Sequence, residues 1–306
     1  MRSITITRGL IVWLANLCLI LIAFFLVPHF ATFENLRNIF IRLLIIYLAA
    51  LAQSFALVVG GFDLSLGANM SLATAIGSYI LIVNPFLGFL GILSAGAVIG
   101  AANGLGITKL RLNPFVMTFG MLFIAQGFTL VLRPEHGGII PRFLNEMLYQ
   151  TYFGVPVFAI ACVVLLLIAS SILIQRTKIG RYLLAVGSNE RAARDFGINV
   201  DRIRLLAFIL CGATASLAGF FLGVRAGCGA AYIGEPFLMY SIGAAVAGGT
   251  SLTGGVTSPI GVLGGAVLFT LIDDILWLTN ISGYYSLVVQ GIILAIVIGL
   301  SEVIRR

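Results

Sequence analysis

Charge is what this sequence has least of. Asp, Glu, Lys and Arg make up 9% of its 306 residues, against about 25% in soluble domains. A soluble enzyme of this size could not cover its surface with so few charges. Lysine occurs only at Lys109 and Lys178, each behind a threonine. A G-x-x-x-x-G-K-[ST] phosphate loop needs lysine behind glycine, so the chain has no such ATP site. The two histidines, His29 and His136, form no H-E-x-x-H pair, and no G-x-S-x-G turn is present. The cysteines Cys18, Cys162, Cys211 and Cys228 lie far apart, with no CxxC or metal spacing. They read as small apolar residues. No catalytic residue, metal site or cofactor is expected.

What is abundant is apolar. Such residues make up 60% of the chain, where about 45–50% is usual. High hydrophobicity with low charge also excludes disorder. The chain is therefore an all-α polytopic membrane protein. The net charge of +7 belongs to basic residues flanking apolar spans, which set topology. No basic helix or aromatic-basic module points to nucleic acid.

A bilayer core about 30 Å thick takes roughly 20 apolar residues in a helix. About ten transmembrane helices follow: Leu10–Pro28, Ile39–Val59, Leu64–Val83, Phe86–Ile107, Phe115–Leu132, Val155–Ile174, Leu205–Val224, Phe237–Ala247, Ile260–Leu276 and Tyr285–Leu300. The first is longer than the 7–15 residues of a signal-peptide core and no A-x-A site follows it, so it reads as a span. The third opens on a glycine-rich polar segment and the eighth is short. Broken or short spans in transporters often line a cavity. With ten spans both termini share a side, which carries 13 of the 18 Lys and Arg, seven of them between Arg176 and Arg204. That bias puts both termini in the cytoplasm. Trp277, Tyr284 and Tyr285 then fall at the outer interface, where such rings are enriched. No soluble domain fits between the spans, so residues 1–306 read as a single transmembrane domain.

Four segments could carry function. Gly60-Gly61-Phe62-Asp63-Leu64-Ser65-Leu66-Gly67 places a carboxylate at the edge of a span. It is either a helix break lining a pathway or a loop in which Asp63 or Ser65 caps the next helix. An echo follows 188 residues later, at Gly248–Gly255; it fits either an ancient repeat or chance among 36 glycines. In the second segment, Lys109–Pro114, Asn113 suits a helix cap and Pro114 the first turn. Beyond it, Thr118 and Gln126 face either a pathway or a neighbouring helix. Third, Asn189 to Gly197 reads as a short helix with Asn189 as cap, Glu190 in the first turn and Gly197 just past the end. It is a docking element if a partner exists, and a solvated face otherwise. Fourth, Asp273 and Asp274 could form a proton relay or a protease pair. Their position about 20 Å along the ninth span favours interface solvation or helix contacts.

Taken together, GGFDLSLG at Gly60–Gly67, LNPFVMTFGM at Leu112–Met121, TKIGRYLLAVGSNERAARDFGINV at Thr177–Val200 and AAVAGGTSLTGGV at Ala244–Val256 resemble the membrane permease subunit of ATP-binding-cassette (ABC) sugar importers of the ribose-permease type. The resemblance covers nearly the whole chain. It implies a permease subunit in the bacterial inner membrane, in contact with lipid. Its implied partners are a second permease subunit, identical or not, a cytoplasmic ATP-binding-cassette ATPase and a periplasmic sugar-binding protein. The coupling role falls on Asn189, Glu190, Arg191, Ala192, Ala193, Arg194 and Gly197. Asp63 and Ser65 fall beside the pathway, and Asn69, Thr118 and Gln126 suit a neutral solute there. Tyr240 stands where such permeases commonly carry an aspartate, and Thr257 where they commonly carry a glycine. The alternative reading is an ion-coupled secondary transporter using Asp63, Asp273 and Asp274.

Overall fold

The computed structural model describes residues 2–281 and isolated positions from 285 to 299, with side chains from residue 11 onward. Among the described residues it is helical throughout, apart from two isolated bridges, Gly137 with Gly229 and Tyr152 with Val155. The helices are α1 (Arg2–Leu26), α2 (Phe33–Val58), α3 (Leu66–Ile80), α4 (Pro85–Thr108), α5 (Pro114–Leu132), α6 (Arg142–Tyr149), α7 (Val157–Arg176), α8 (Lys178–Ser188), α9 (Glu190–Asp195), α10 (Val200–Ala226), α11 (Pro236–Ala247) and α12 (Pro259–Leu278).

Six of them, α2, α4, α5, α7, α10 and α12, are long and apolar enough to cross a membrane. The apolar part of α1, Ile11–Leu26, and the twelve-residue α11 are shorter. Nine expected spans therefore coincide with helices, and the tenth, Tyr285–Leu300, lies outside the described residues apart from isolated positions. The third is shorter than expected: α3 holds 15 residues, about 22 Å at 1.5 Å per residue, and starts inside the bundle. Two helices were not anticipated. α8 occupies what reads as loop after Arg176, and α6 lies within the segment after Arg133, burying Leu144 and Leu148 as it packs on α2, α7 and α10.

α2 is the axis of the bundle. Every residue from Ile41 to Val58 is buried, as expected of a helix that is apolar all round. α10 packs across α2, α3 and α4. Its crossing with α4 depends on glycine. A Cβ on Gly100 would overlap Phe208 O, and one on Gly212 would overlap Gly96 O. Small residues allow this close backbone approach, which drives helix association in lipid. α1 lies outermost, tied to α12 by Asn16 Nδ2 donating to Gly264 O at 2.8 Å. Its Leu14, Leu17, Leu21 and Phe25 are exposed, as suits a lipid-facing helix.

Candidate functional site

The Gly60–Gly67 turn is a closed polar knot. Gly60 has φ +74°, a conformation glycine adopts without the cost of a Cβ. Asp63 is fully buried. Its Oδ1 accepts from Ser65 N at 2.9 Å and Ser65 Oγ at 2.5 Å. Asn103 Nδ2 of α4 donates to Ser65 Oγ at 3.0 Å and reaches Asp63 Oδ1 at 3.4 Å. Cys211 Sγ of α10 donates to Asp63 Oδ2 at 3.3 Å. Such a network offsets the desolvation of a buried carboxyl. Ser65 occupies the N-cap of α3 but its side chain makes no cap bond, because the hydroxyl is committed to Asp63.

Of the remaining pathway candidates, Asn69 is buried and donates to Gly212 O at 2.9 Å. Thr118 is buried and donates to Pro114 O at 2.8 Å and Phe62 O at 3.2 Å. Asn69 joins α3 to α10, and Thr118 joins α5 to the Gly60–Gly67 turn. Gln126 differs: its Nε2 donates to Ala231 O at 2.8 Å, and it lines a cavity of about 410 Å³ between α3, α5 and the start of α11. Tyr232 and Glu235 line the same cavity, and neither stands out in the sequence. The structure thus joins Asp63 with Ser65 and sets Asn69, Thr118 and Gln126 in three different surroundings.

The α9 end of the bundle carries a chain of ion pairs. Asn189 Oδ1 accepts from Ala192 N at 3.0 Å, and Gly197, with φ +78°, closes the helix as Gly197 N donates to Arg194 O at 2.9 Å. The expected cap and stop are both present. Glu190 pairs with Arg194 at 2.8 Å and with Arg204 at 2.8 Å; Arg194 reaches Asp201 at 3.5 Å, and Asp201 pairs with Arg111 at 3.2 Å. The chain joins α9 to the first turn of α10 and to the α4–α5 loop. The hydrogen bond from Arg194, with the charge of Arg204 beside it, holds the Glu190 carboxyl below its ordinary value.

α8 packs against the end of α2 and the Gly248–Gly255 turn. Gly255 N donates to Val58 O at 2.9 Å, so the Gly248–Gly255 turn lies against the end of α2. A Cβ on Gly187 would overlap both Val58 O and Gly255 N. The backbone of α8 is therefore in contact with the end of α2 and the Gly248–Gly255 turn at Gly187, two residues before the α9 cap Asn189.

Asp273 and Asp274 belong to a different cluster. Arg42 Nη1 pairs with Asp273 Oδ2 at 2.8 Å and lies 4.0 Å from Asp274. Asn35 Nδ2 donates to Asp274 Oδ2 at 2.8 Å, and Tyr240 OH donates to Asp273 Oδ1 at 2.7 Å. These are helix contacts, as their depth along the span suggests. Tyr240 makes its own contribution there, binding α11 to α12.

The family described as "Branched-chain amino acid transport system / permease component" matches residues 35–298. The chain is 32% identical over 298 residues to the ribose import permease protein of Escherichia coli (strain K12), across 93% of this chain and 91% of that one. It is 34% identical over 285 residues to the ribose import permease protein of Bacillus subtilis (strain 168), across 92% and 88%. It is 32% identical over 284 residues to the D-allose transport system permease protein of Escherichia coli (strain K12), across 91% and 86%. No solved structure matches it. The order of its motifs and the reach of these matches lead to one assignment: this chain belongs to the branched-chain amino acid transport system / permease component family.

Proposed function

We propose that this chain is the inner-membrane permease subunit of an ABC importer for a monosaccharide, working with a second permease subunit and a periplasmic sugar-binding protein. ATP is hydrolysed by a separate cassette subunit. That subunit docks on α9, through the set Asn189, Glu190, Arg191, Ala192, Ala193, Arg194 and Gly197. The α9 end faces the cytoplasm, with ten spans and both termini on that side. The relatives named for ribose and allose import motivate the solute class.

One observation carries the reading. α8 and α9 are joined through the single extended residue Asn189, and the backbone of α8 touches the end of α2 at Val58 and the turn before α12 at Gly255. A push on α9 passes through Asn189 to the end of α2 and to the Gly248–Gly255 turn. The ion-coupled alternative lacks such support, because Asp273 and Asp274 are engaged by Arg42 and Asn35. Tagging the chain, expressing it with its neighbouring genes and identifying what co-purifies by mass spectrometry tests the proposal. A stoichiometric ATPase subunit is expected. A monodisperse chain that reproducibly brings none down would refute it.

A further inference from the structure

The segment after α10 turns back into the bundle. Gly227 ends α10 with φ +71°, and the chain then runs down the side of α3. Thr74 Oγ1 accepts from Ala230 N at 3.2 Å, and Ser71 Oγ accepts from Gly234 N at 2.9 Å. A Cβ on Gly67 would lie 2.8 Å from Gly234 O and 3.3 Å from Glu235 Cα. The eleven residue steps of α3 from Ser78 to Gly67 correspond to about 16 Å of helix. Glu235 therefore sits about 16 Å along α3 from Ser78, beside the first turn of that helix.

A carboxylate within a membrane-spanning bundle is costly and, where it persists, usually faces a cavity on a solute or ion route. Glu235 is exposed and has no ion-pair partner among the described residues. It opens onto the cavity of about 410 Å³ that Gln126, Tyr232, Gly67 and Phe123 also line. That volume falls within the range of small-molecule pockets, which combine apolar walls with a few placed polar groups. Gln126 is held in place by its bond to Ala231 O, which leaves its amide oxygen and second N–H to serve the cavity.

We propose that this cavity is a station on the translocation route that contacts a neutral polyhydroxylated solute, with Glu235 and Gln126 hydrogen-bonding its hydroxyls and Tyr232 covering its C–H face. The proposal rests on the importer reading above. Carboxyl oxygens accept hydrogen bonds, so Glu235 favours solutes that present hydroxyl donors over phosphorylated or carboxylated ones. None of Glu235, Gln126 and Tyr232 belongs to the α8–α9 lever, so changing them leaves docking intact.

The test uses the complete complex in proteoliposomes, with uptake of a panel of neutral pentoses and hexoses and their deoxy analogues. Glu235→Leu is expected to lower the uptake rate about tenfold or more, with Glu235→Gln intermediate. Glu235→Gln is also expected to change the ranking of sugars against their deoxy analogues, while ATPase co-purification stays at the parent level. A defect in packing alone would not change that ranking. If Glu235→Leu fails to assemble, Glu235→Gln decides. Equal rates and an unchanged ranking in Glu235→Gln and Tyr232→Ala would overturn the proposal while leaving the importer reading intact. A parent complex that shows no ATP-driven uptake of any neutral sugar would overturn both.

Discussion

Gly187→Ala is the sharpest perturbation of the lever. The added methyl would overlap Val58 O and Gly255 N, both backbone atoms, so no side-chain rotation relieves it. Either α8 moves away from the end of α2 and the Gly248–Gly255 turn, or the 2.9 Å bond from Gly255 N to Val58 O opens. Losing that bond costs about 0.5–1.5 kcal/mol, and overpacking a filled site costs about 1–3 kcal/mol. These are alternatives, so the strain at the junction is about 1–3 kcal/mol. At 1.4 kcal/mol per factor of ten, the population with α8 fully seated falls about 5- to 100-fold. Uptake into proteoliposomes should fall accordingly, while the cassette still binds and hydrolyses ATP. Gly120→Ala serves as the control, because a Cβ there meets nothing within 4 Å. A Gly187→Ala variant with parental uptake and an unchanged thermal midpoint would refute the lever.

Other substitutions probe the rest of the arrangement. Ala193→Pro removes the bond from Ala193 N to Asn189 O, 3.0 Å long, and costs about 3 kcal/mol in a helix interior; it should abolish uptake while leaving the helical circular-dichroism signal unchanged. Because the Glu190 carboxyl is held below its ordinary value, its contribution is present in full above that value and is lost as pH falls through the lowered one. Cassette binding should therefore be constant between about pH 5.5 and 8, and Glu190→Gln should weaken it throughout that interval in a pull-down titration. Arg42→Met removes the guanidinium that pairs with Asp273 and should cost about 3–5 kcal/mol, read as a lowered thermal midpoint in detergent. Asp63→Ala strips the acceptor from Ser65, Asn103 and Cys211, and at about 1–3 kcal/mol for a buried group left unsatisfied it should reduce the yield of folded protein.

The features that could be read from sequence are those specified by neighbouring residues. Asn189 and Gly197 bracket α9 because a cap and a left-handed stop are local devices. Asn113 and Pro114 open α5 for the same reason. α10 begins five residues before the expected start, since its first turn is polar and its cap is Asn199, which accepts from Arg202 N. α8 was hidden because eleven residues with a mixed pattern between two basic stretches look like loop. The site residues divide along the same line. Asp63 could be read either as pathway or as cap because its partners, Asn103 and Cys211, come from distant helices. Asp273 looked like half of an acidic pair because Arg42 lies 231 residues away in the chain. Glu235 drew no attention because hydrogen bonds to Ser71 and Thr74, not anything beside it, carry it into the bundle.

The most direct measurement is solute uptake by the purified permease and cassette in proteoliposomes, with vanadate in one arm and an uncoupler in the other. Uptake that needs ATP and the cassette, stops with vanadate and ignores the uncoupler is the expected result. Uptake by the permease alone, collapsed by the uncoupler and indifferent to vanadate, would contradict an ATP-driven importer and return attention to the carboxylates.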